Sequence, residues 1–187
     1  AARPLAPAGP AGPGAPVGLE PGAAGLGHVH EHGIIHGDLQ PENLRLDEDG
    51  RIKLVGLGGQ TLLPQFEEGT ETKILPKEVT NAADYSSKML SGFVAPEILS
   101  GDQPDSRSDV YSLGCVAYFL LTGRAPEAEI FLATPNSDSI TPTISHSLTS
   151  QRQDLPKGLV RVIKKMTARL PSDRYRDASI VTEILRD

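Results

Sequence analysis

Hydrophobic and polar positions divide the chain into stretches of different period. Leu44-Arg45-Leu46 and Arg51-Ile52-Lys53-Leu54-Val55 alternate apolar and charged side chains around Asp47-Glu48-Asp49-Gly50. Alternation with a period of two on both sides of such a turn predicts a small β-hairpin. Leu159, Ile163, Met166 and Leu170 recur at spacings of four, three and four. That is one face of a helix, which Pro171 stops. A last helix is predicted from about Ala178, with Ile180, Val181, Ile184 and Leu185 inward. The longest apolar run, Val110 to Leu121, is broken by Tyr111, Ser112, Gly114 and Tyr118. It reads as a buried core helix, capped by Ser106 or Ser108 and ended by Gly123. It is shorter than the ~18 residues of a membrane span. His28 to His32 reads as the end of a helix closed by Gly33. Residues 59–92 are long, polar and weakly periodic, a surface segment. Residues 133–154 are rich in Ser, Thr, Pro and Asn, a loop. A hairpin followed by helices predicts an α+β fold, mostly helical.

Composition changes this picture at one end. Twenty of the first 25 residues are Ala, Pro or Gly, and six of them are Pro. Such a segment has few large apolar side chains to bury, so residues 1–25 are expected to form a disordered arm and residues 26–187 the folded domain. The net charge is -6, from 18 Lys+Arg against 24 Asp+Glu. A mildly acidic chain is not expected to bind nucleic acid, which calls for a basic face. The single Cys, Cys115, excludes an internal disulfide and a Cys-based zinc site. No signal peptide or membrane segment is visible, and a cytoplasmic location is expected. His28, His30, His32 and His36 invite a metal reading, because His28 and His32 stand four apart. No Glu or Cys completes the set at a convincing spacing, so these histidines are read as a solvated helix end and no metal site is expected.

Three segments, taken in order, carry a resemblance. His36-Gly37-Asp38-Leu39-Gln40-Pro41-Glu42-Asn43-Leu44 resembles the catalytic loop of a protein kinase. Ala95-Pro96-Glu97-Ile98-Leu99 resembles the end of its activation segment. Ser108-Asp109-Val110-Tyr111-Ser112-Leu113-Gly114 resembles the start of the central helix of its large lobe. The chain is thus similar to the C-terminal lobe of eukaryotic-type Ser/Thr kinases, in the style of their bacterial members. The resemblance implies a kinase-like C-lobe with a small hairpin beside the catalytic loop. No G-x-G-x-x-G loop and no strand Lys precede His36, so the N-lobe is expected to be absent from this chain, or to belong to a longer one.

The resemblance also assigns roles. Asp38 stands at the catalytic-base position and Asn43 at a magnesium-ligand position. His36, Leu57, Glu97, Asp109 and Arg174 stand at structural positions. His36 and Leu57 would stack as core, Asp109 would hold the catalytic-loop backbone, and Glu97 would pair with Arg174. Four departures weaken the chemistry. Gly56 replaces the metal-binding Asp, and magnesium needs oxygen ligands that glycine has no side chain to give. Gln40 replaces the Lys that touches the transferring phosphate and cannot neutralise developing charge. Gly37 replaces the loop Arg that receives an activation phosphate. Arg45 replaces the apolar residue beneath the adenine ring and must snorkel away or block it. Leu90 stands at the Thr position of the activation segment, with Ser91 one position off. Thr70, Thr72, Ser86 and Ser87 are candidate phosphorylation sites.

Scaffold kept and phosphate chemistry lost is the pattern of a pseudokinase. The expected function is therefore a non-catalytic module in protein binding or signalling, with no cofactor and a protein partner of unknown identity. Two alternatives stand beside it. One is a truncated piece of a Ser/Thr kinase that uses ATP and Mg. The other is a non-functional gene fragment, whose exposed interlobe surface would make it unstable.

Overall fold

The computed structural model describes residues 2–6, 16, 18–57, 92–126 and 144–187. Its elements run β1 (Arg3–Pro4), α1 (Leu19–Glu31), β2 (Leu44–Leu46), β3 (Ile52–Leu54), α2 (Pro96–Leu99), α3 (Ser106–Thr122), α4 (Ile144–Gln151), α5 (Lys157–Met166) and α6 (Ala178–Arg186). The expectation of a mostly helical α+β fold agrees with this order. Phosphorylation candidates Thr70, Thr72, Ser86 and Ser87, and the Leu90/Ser91 position, lie outside the described residues, as does nearly all of the polar segment over 59–92.

The centre is α3. Val110, Leu113, Val116, Ala117, Leu120 and Leu121 are all buried, with α1, α4, α5 and α6 packed around them. A helix enclosed on all sides cannot be amphipathic, which is why its sequence is a nearly continuous apolar run. Its cap is Asp105, not Ser106 or Ser108. The Asp105 carboxylate accepts from the Arg107 N–H at 2.8 Å, and Ser108 Oγ accepts from the Asp105 N–H, a reciprocal capping box. Gly123, at φ 74°, ends the helix.

The hairpin forms where alternation predicts it. Leu44 pairs with Leu54 and Leu46 with Ile52. A third strand, β1, adds Arg3 and Pro4 to the free edge of β2. Proline has no N–H to give a ladder, so an edge strand is where it can sit.

At Arg3–Pro4 and from Leu19 onward, that strand and α1 stand where a disordered arm over residues 1–25 is expected; residues 7–15 and 17 lie outside the described residues. Leu5 and Leu19 are buried, and helix begins at Leu19. Pro21 lies in the first turn, where a missing N–H leaves no helix bond unmade. Composition misled because α1 packs by close approach instead of by large side chains. A Cβ on Gly22 would stand 2.8 Å from Leu44, and one on Gly27 would stand 2.7 Å from Ser179. Small residues here let helices and strands meet backbone to side chain.

Three smaller expectations also fail. The segment 133–154 contains α4, whose Ile144 and Leu148 reach the core. Leu170 lies beyond the end of α5 and is 58% exposed, because the chain leaves the helix at Thr167. Ile184 on α6 is 38% exposed, while Val181 takes the inward position.

Candidate functional site

The catalytic-loop segment runs from the end of α1 to the start of β2, and it hangs from α3. The carboxylate of Asp109, in the first turn of α3, accepts the backbone N–H groups of His36 and Gly37, each at 2.8 Å. The same carboxylate accepts from His30 Nε2 at 2.9 Å. His30 Nδ1 in turn accepts the N–H of Ala178, the first residue of α6, at 3.3 Å. One buried carboxylate and one buried imidazole thus join the loop, α1, α3 and α6.

The role of His30 was not legible as a solvated helix end. Its side chain is 3% exposed. A signal was present in the spacing: Leu19, Ala23, Leu26 and His30 repeat at four, three and four along α1, which is the buried stripe. The neighbouring His28 and His32 remain on the surface, their rings 4.5 Å apart, with His32 Nδ1 bonded to the His28 carbonyl. Among the described residues no three His, Cys, Asp or Glu side chains gather as metal ligands.

His36 is fully buried. Its Nδ1 accepts the Asp38 N–H at 3.3 Å, and its Nε2 has no hydrogen-bond partner. Burial holds the imidazole below its ordinary pKa, against the opposing pull of Asp109, Asp38 and the backbone of Val55. Leu57, expected to stack on His36 as core, is 50% exposed, beyond the end of β3 and next to the positive-φ Gly56.

The residues at the chemical positions close on one another. Gln40 Nε2 donates to Asp38 Oδ1 at 3.0 Å. Asn43 Nδ2 donates to the Asp38 carbonyl at 2.7 Å and faces Asp38 Oδ2 at 3.3 Å. Gly37 and Gly56 both hold positive φ, 74° and 78°. Glycine adopts that region without strain, whereas other residues meet steric cost there. A Cβ on Gly56 would stand 3.3 Å from the Asn43 amide. Arg45 turns away along its own strand, its Nε donating to the Glu42 carbonyl at 3.0 Å, while Leu44 takes the buried position.

Glu97 and Arg174 form the second anchor. Arg174 Nη1 and Nη2 reach the two Glu97 oxygens at 2.6 and 2.7 Å, with the guanidinium wholly buried. The remaining guanidinium N–H groups go to the carbonyls of Ala168, Arg169 and Arg107. Tyr111 lies flat beneath, its ring centroid 4.7 Å from Cζ. Ser108 Oγ donates to Glu97 Oε1 at 2.8 Å. Burial pushes the Glu97 carboxyl up, but the bonds from Arg174 and Ser108 outweigh it and hold the group below the ordinary range. Burial pushes the Tyr111 phenol and the Cys115 thiol up, which leaves the lone cysteine an inert core side chain.

The family model of the protein kinase domain matches residues 22–186. The chain belongs to the protein kinase family. Within it, the chain falls among the bacterial-like Ser/Thr kinases. It is 32% identical over 166 residues to the Ser/Thr-protein kinase PknL of Mycobacterium tuberculosis, covering 86% of this chain and 37% of that protein. It is 32% identical over 160 residues to PknB of Mycolicibacterium smegmatis, covering 82% of this chain and 23% of that protein. To PKH1 of Saccharomyces cerevisiae it is 33% identical over 159 residues, 78% of this chain and 18% of that protein. The chain therefore spans between 18% and 37% of the length of these relatives. The crystal structure of the M. tuberculosis PknI kinase domain, a double mutant, superposes with a TM-score of 0.58 at 22% identity, over 90% of this chain and 53% of that one. That likeness shows the kinase fold. Among the described residues no helix is long and apolar enough to cross a membrane.

Proposed function

We propose that this chain is the C-lobe of a kinase fold retained as a non-catalytic protein-binding module, a pseudokinase. The observation that carries the reading is the uncharged lining around Asp38. Gln40 and Asn43, at the phosphate-Lys and magnesium-ligand positions, bring amides to it, and Gly56 at the metal position brings no side chain. Phosphoryl transfer needs a cation and metal-holding carboxylates beside the base.

Magnesium and ATP do not fit the residues present. The metal position at Gly56 has no side chain, and its Cβ direction points at Asn43. Asn43 donates its amide N–H to the Asp38 carbonyl, which leaves its Oδ1 as a single neutral oxygen for a metal. Gln40 brings no charge to a phosphate. Magnesium takes hard, mostly anionic oxygen ligands, and this set supplies too few.

Thermal unfolding of the full chain with and without millimolar ATP and magnesium tests the reading. Binding to the folded state alone must raise Tm. No change is expected. A magnesium-dependent rise would overturn the proposal.

A second reading is favoured by the retained Asp38 and Asn43 and by relatives that are all named Ser/Thr kinases. On that reading a longer protein carrying this chain transfers the γ-phosphate of ATP to protein Ser or Thr. Phosphate transfer by such a protein, lost on Asp38→Asn, would establish it.

A further inference from the structure

α5 carries Lys157, Arg161, Lys164 and Lys165, and no acidic residue. All four are exposed, while Leu159, Val162, Ile163 and Met166 are buried. At helical pitch the four cations fall within one arc of about 100°, opposite the buried face, over a length of about 12 Å. Lys157–Arg161 and Arg161–Lys165 are like-charge pairs at i,i+4, and Arg161–Lys164 is one at i,i+3. Such pairs weaken a helix. Lys157 also stands in the first turn, where the helix dipole disfavours a cation. Among the described residues none of the four meets an acid: Arg152 is bound to Asp154 and Arg176 to Asp177. Lys165 lies on the Tyr175 ring, Nζ 4.7 Å from its centroid. Fold stability does not call for this stripe, and an outside anion does.

We infer that α5 is a docking surface for an acidic helical segment of a partner protein. The inference rests on the protein-binding reading above and names the partner's chemistry. Three observations select a short acidic helix over other polyanions. The chain as a whole carries -6, so an anionic bilayer or a long nucleic acid reaching beyond the stripe meets net repulsion. The cations repeat at four, three and one residues, the spacing at which carboxylates line one face of a helix. Leu170, 58% exposed, follows four residues past the end of α5 and offers an apolar contact at one end of the stripe.

The test uses a fluorescein-labelled, end-capped helical peptide of about four turns, with Glu at i, i+4, i+7 and i+8 and one terminal Leu. Its anisotropy is titrated with the full chain. Saturable binding that weakens with salt is expected. The Arg161→Glu/Lys164→Glu double variant is expected to weaken it at least about tenfold, a loss typical of reversed charges at a complementary interface. Arg51→Glu, an exposed cation on the hairpin, is expected to leave it unchanged. Circular dichroism and Tm confirm that each variant is folded. Equal binding of the Glu→Gln peptide, or unchanged affinity in the folded double variant, overturns the proposal. So does flotation with phosphatidylserine vesicles that the double variant abolishes while peptide binding persists. The ATP–magnesium measurement separates the two levels. A nucleotide shift with intact peptide docking defeats the non-catalytic reading alone, and lost docking without a nucleotide shift defeats the stripe alone.

Discussion

The scaffold around α3 and the loop at Asp38 are both polar, and they are wired differently. The scaffold's bonds span great lengths of chain: Asp109 to His36 and Gly37 over 73 and 72 residues, Glu97 to Arg174 over 77, His30 to Ala178 over 148. The loop's bonds are short-range: Gln40 to Asp38 over two residues, Asn43 to Asp38 over five. A staple between distant segments is part of what holds the fold. A locally closed loop satisfies itself and leaves the fold indifferent to its chemistry. Phosphate-handling groups can therefore be replaced here while the scaffold is kept.

The sharpest way to break this contrast is Glu97→Ala. It leaves the buried Arg174 guanidinium without its carboxylate, and the loss expected is about 3–5 kcal/mol, read from urea unfolding. By contrast, Arg186→Ala, at the exposed pair with Glu20, should cost less than about 1 kcal/mol. If the two variants match, the buried pair is no staple.

His30→Ala comes next. It leaves the Ala178 N–H without its His30 acceptor and Asp109 Oδ2 with the His36 N–H alone, for an expected cost of about 1–3 kcal/mol. His30→Gln, which can still donate to Asp109, should recover part of it.

The two anchors also predict a pH profile. His36 has a lowered folded pKa, so below about pH 6.5 the unfolded chain binds the proton first and stability begins to fall. Glu97 has a lowered folded pKa too, so its contribution is held above the ordinary carboxyl value of 4.5 and is lost as pH falls through the folded one. Urea midpoints should drop between pH 7.5 and 5.5, and His36→Phe should flatten that step. A wild-type midpoint that is constant over this range would contradict the buried neutral imidazole.

The smallest effects belong to the loop. Gly56→Asp places a Cβ at positive φ against Asn43 and should cost about 1 kcal/mol. Alone it should not create magnesium-dependent ATP binding, because Gln40 remains in place of a cation. Gln40→Ala removes a local bond and should shift stability by no more than about 0.5 kcal/mol. A multi-kcal loss there would make the loop part of the scaffold.

The same contrast explains what could be read from the sequence. The hairpin was legible because Leu44, Leu46, Ile52 and Leu54 alternate. The core helix was legible because Val110 to Leu121 is a nearly continuous apolar run. The Glu97–Arg174 and Asp109 contacts came from the resemblance, since a bond over more than 70 residues leaves no local pattern. α1 was half hidden: its Ala and Gly read as disorder until their close approach to Leu44 and Ser179 is seen. The pairing of Gln40 with Asp38 was invisible because side-chain direction, not residue type, creates it.

The contact between α1 and α6 has a consequence for the order in which the protein assembles. Gly27 fits against Ser179, and Glu20 meets Arg186. α1 cannot cover its inner face until α6 has been synthesised, 148 residues later at the His30–Ala178 bond. At a ribosome's pace of roughly 5–20 residues per second, that leaves α1 waiting for roughly 7–30 s. For that interval the edge of α1 at Gly27, which Ser179 covers in the folded chain, stays open to water.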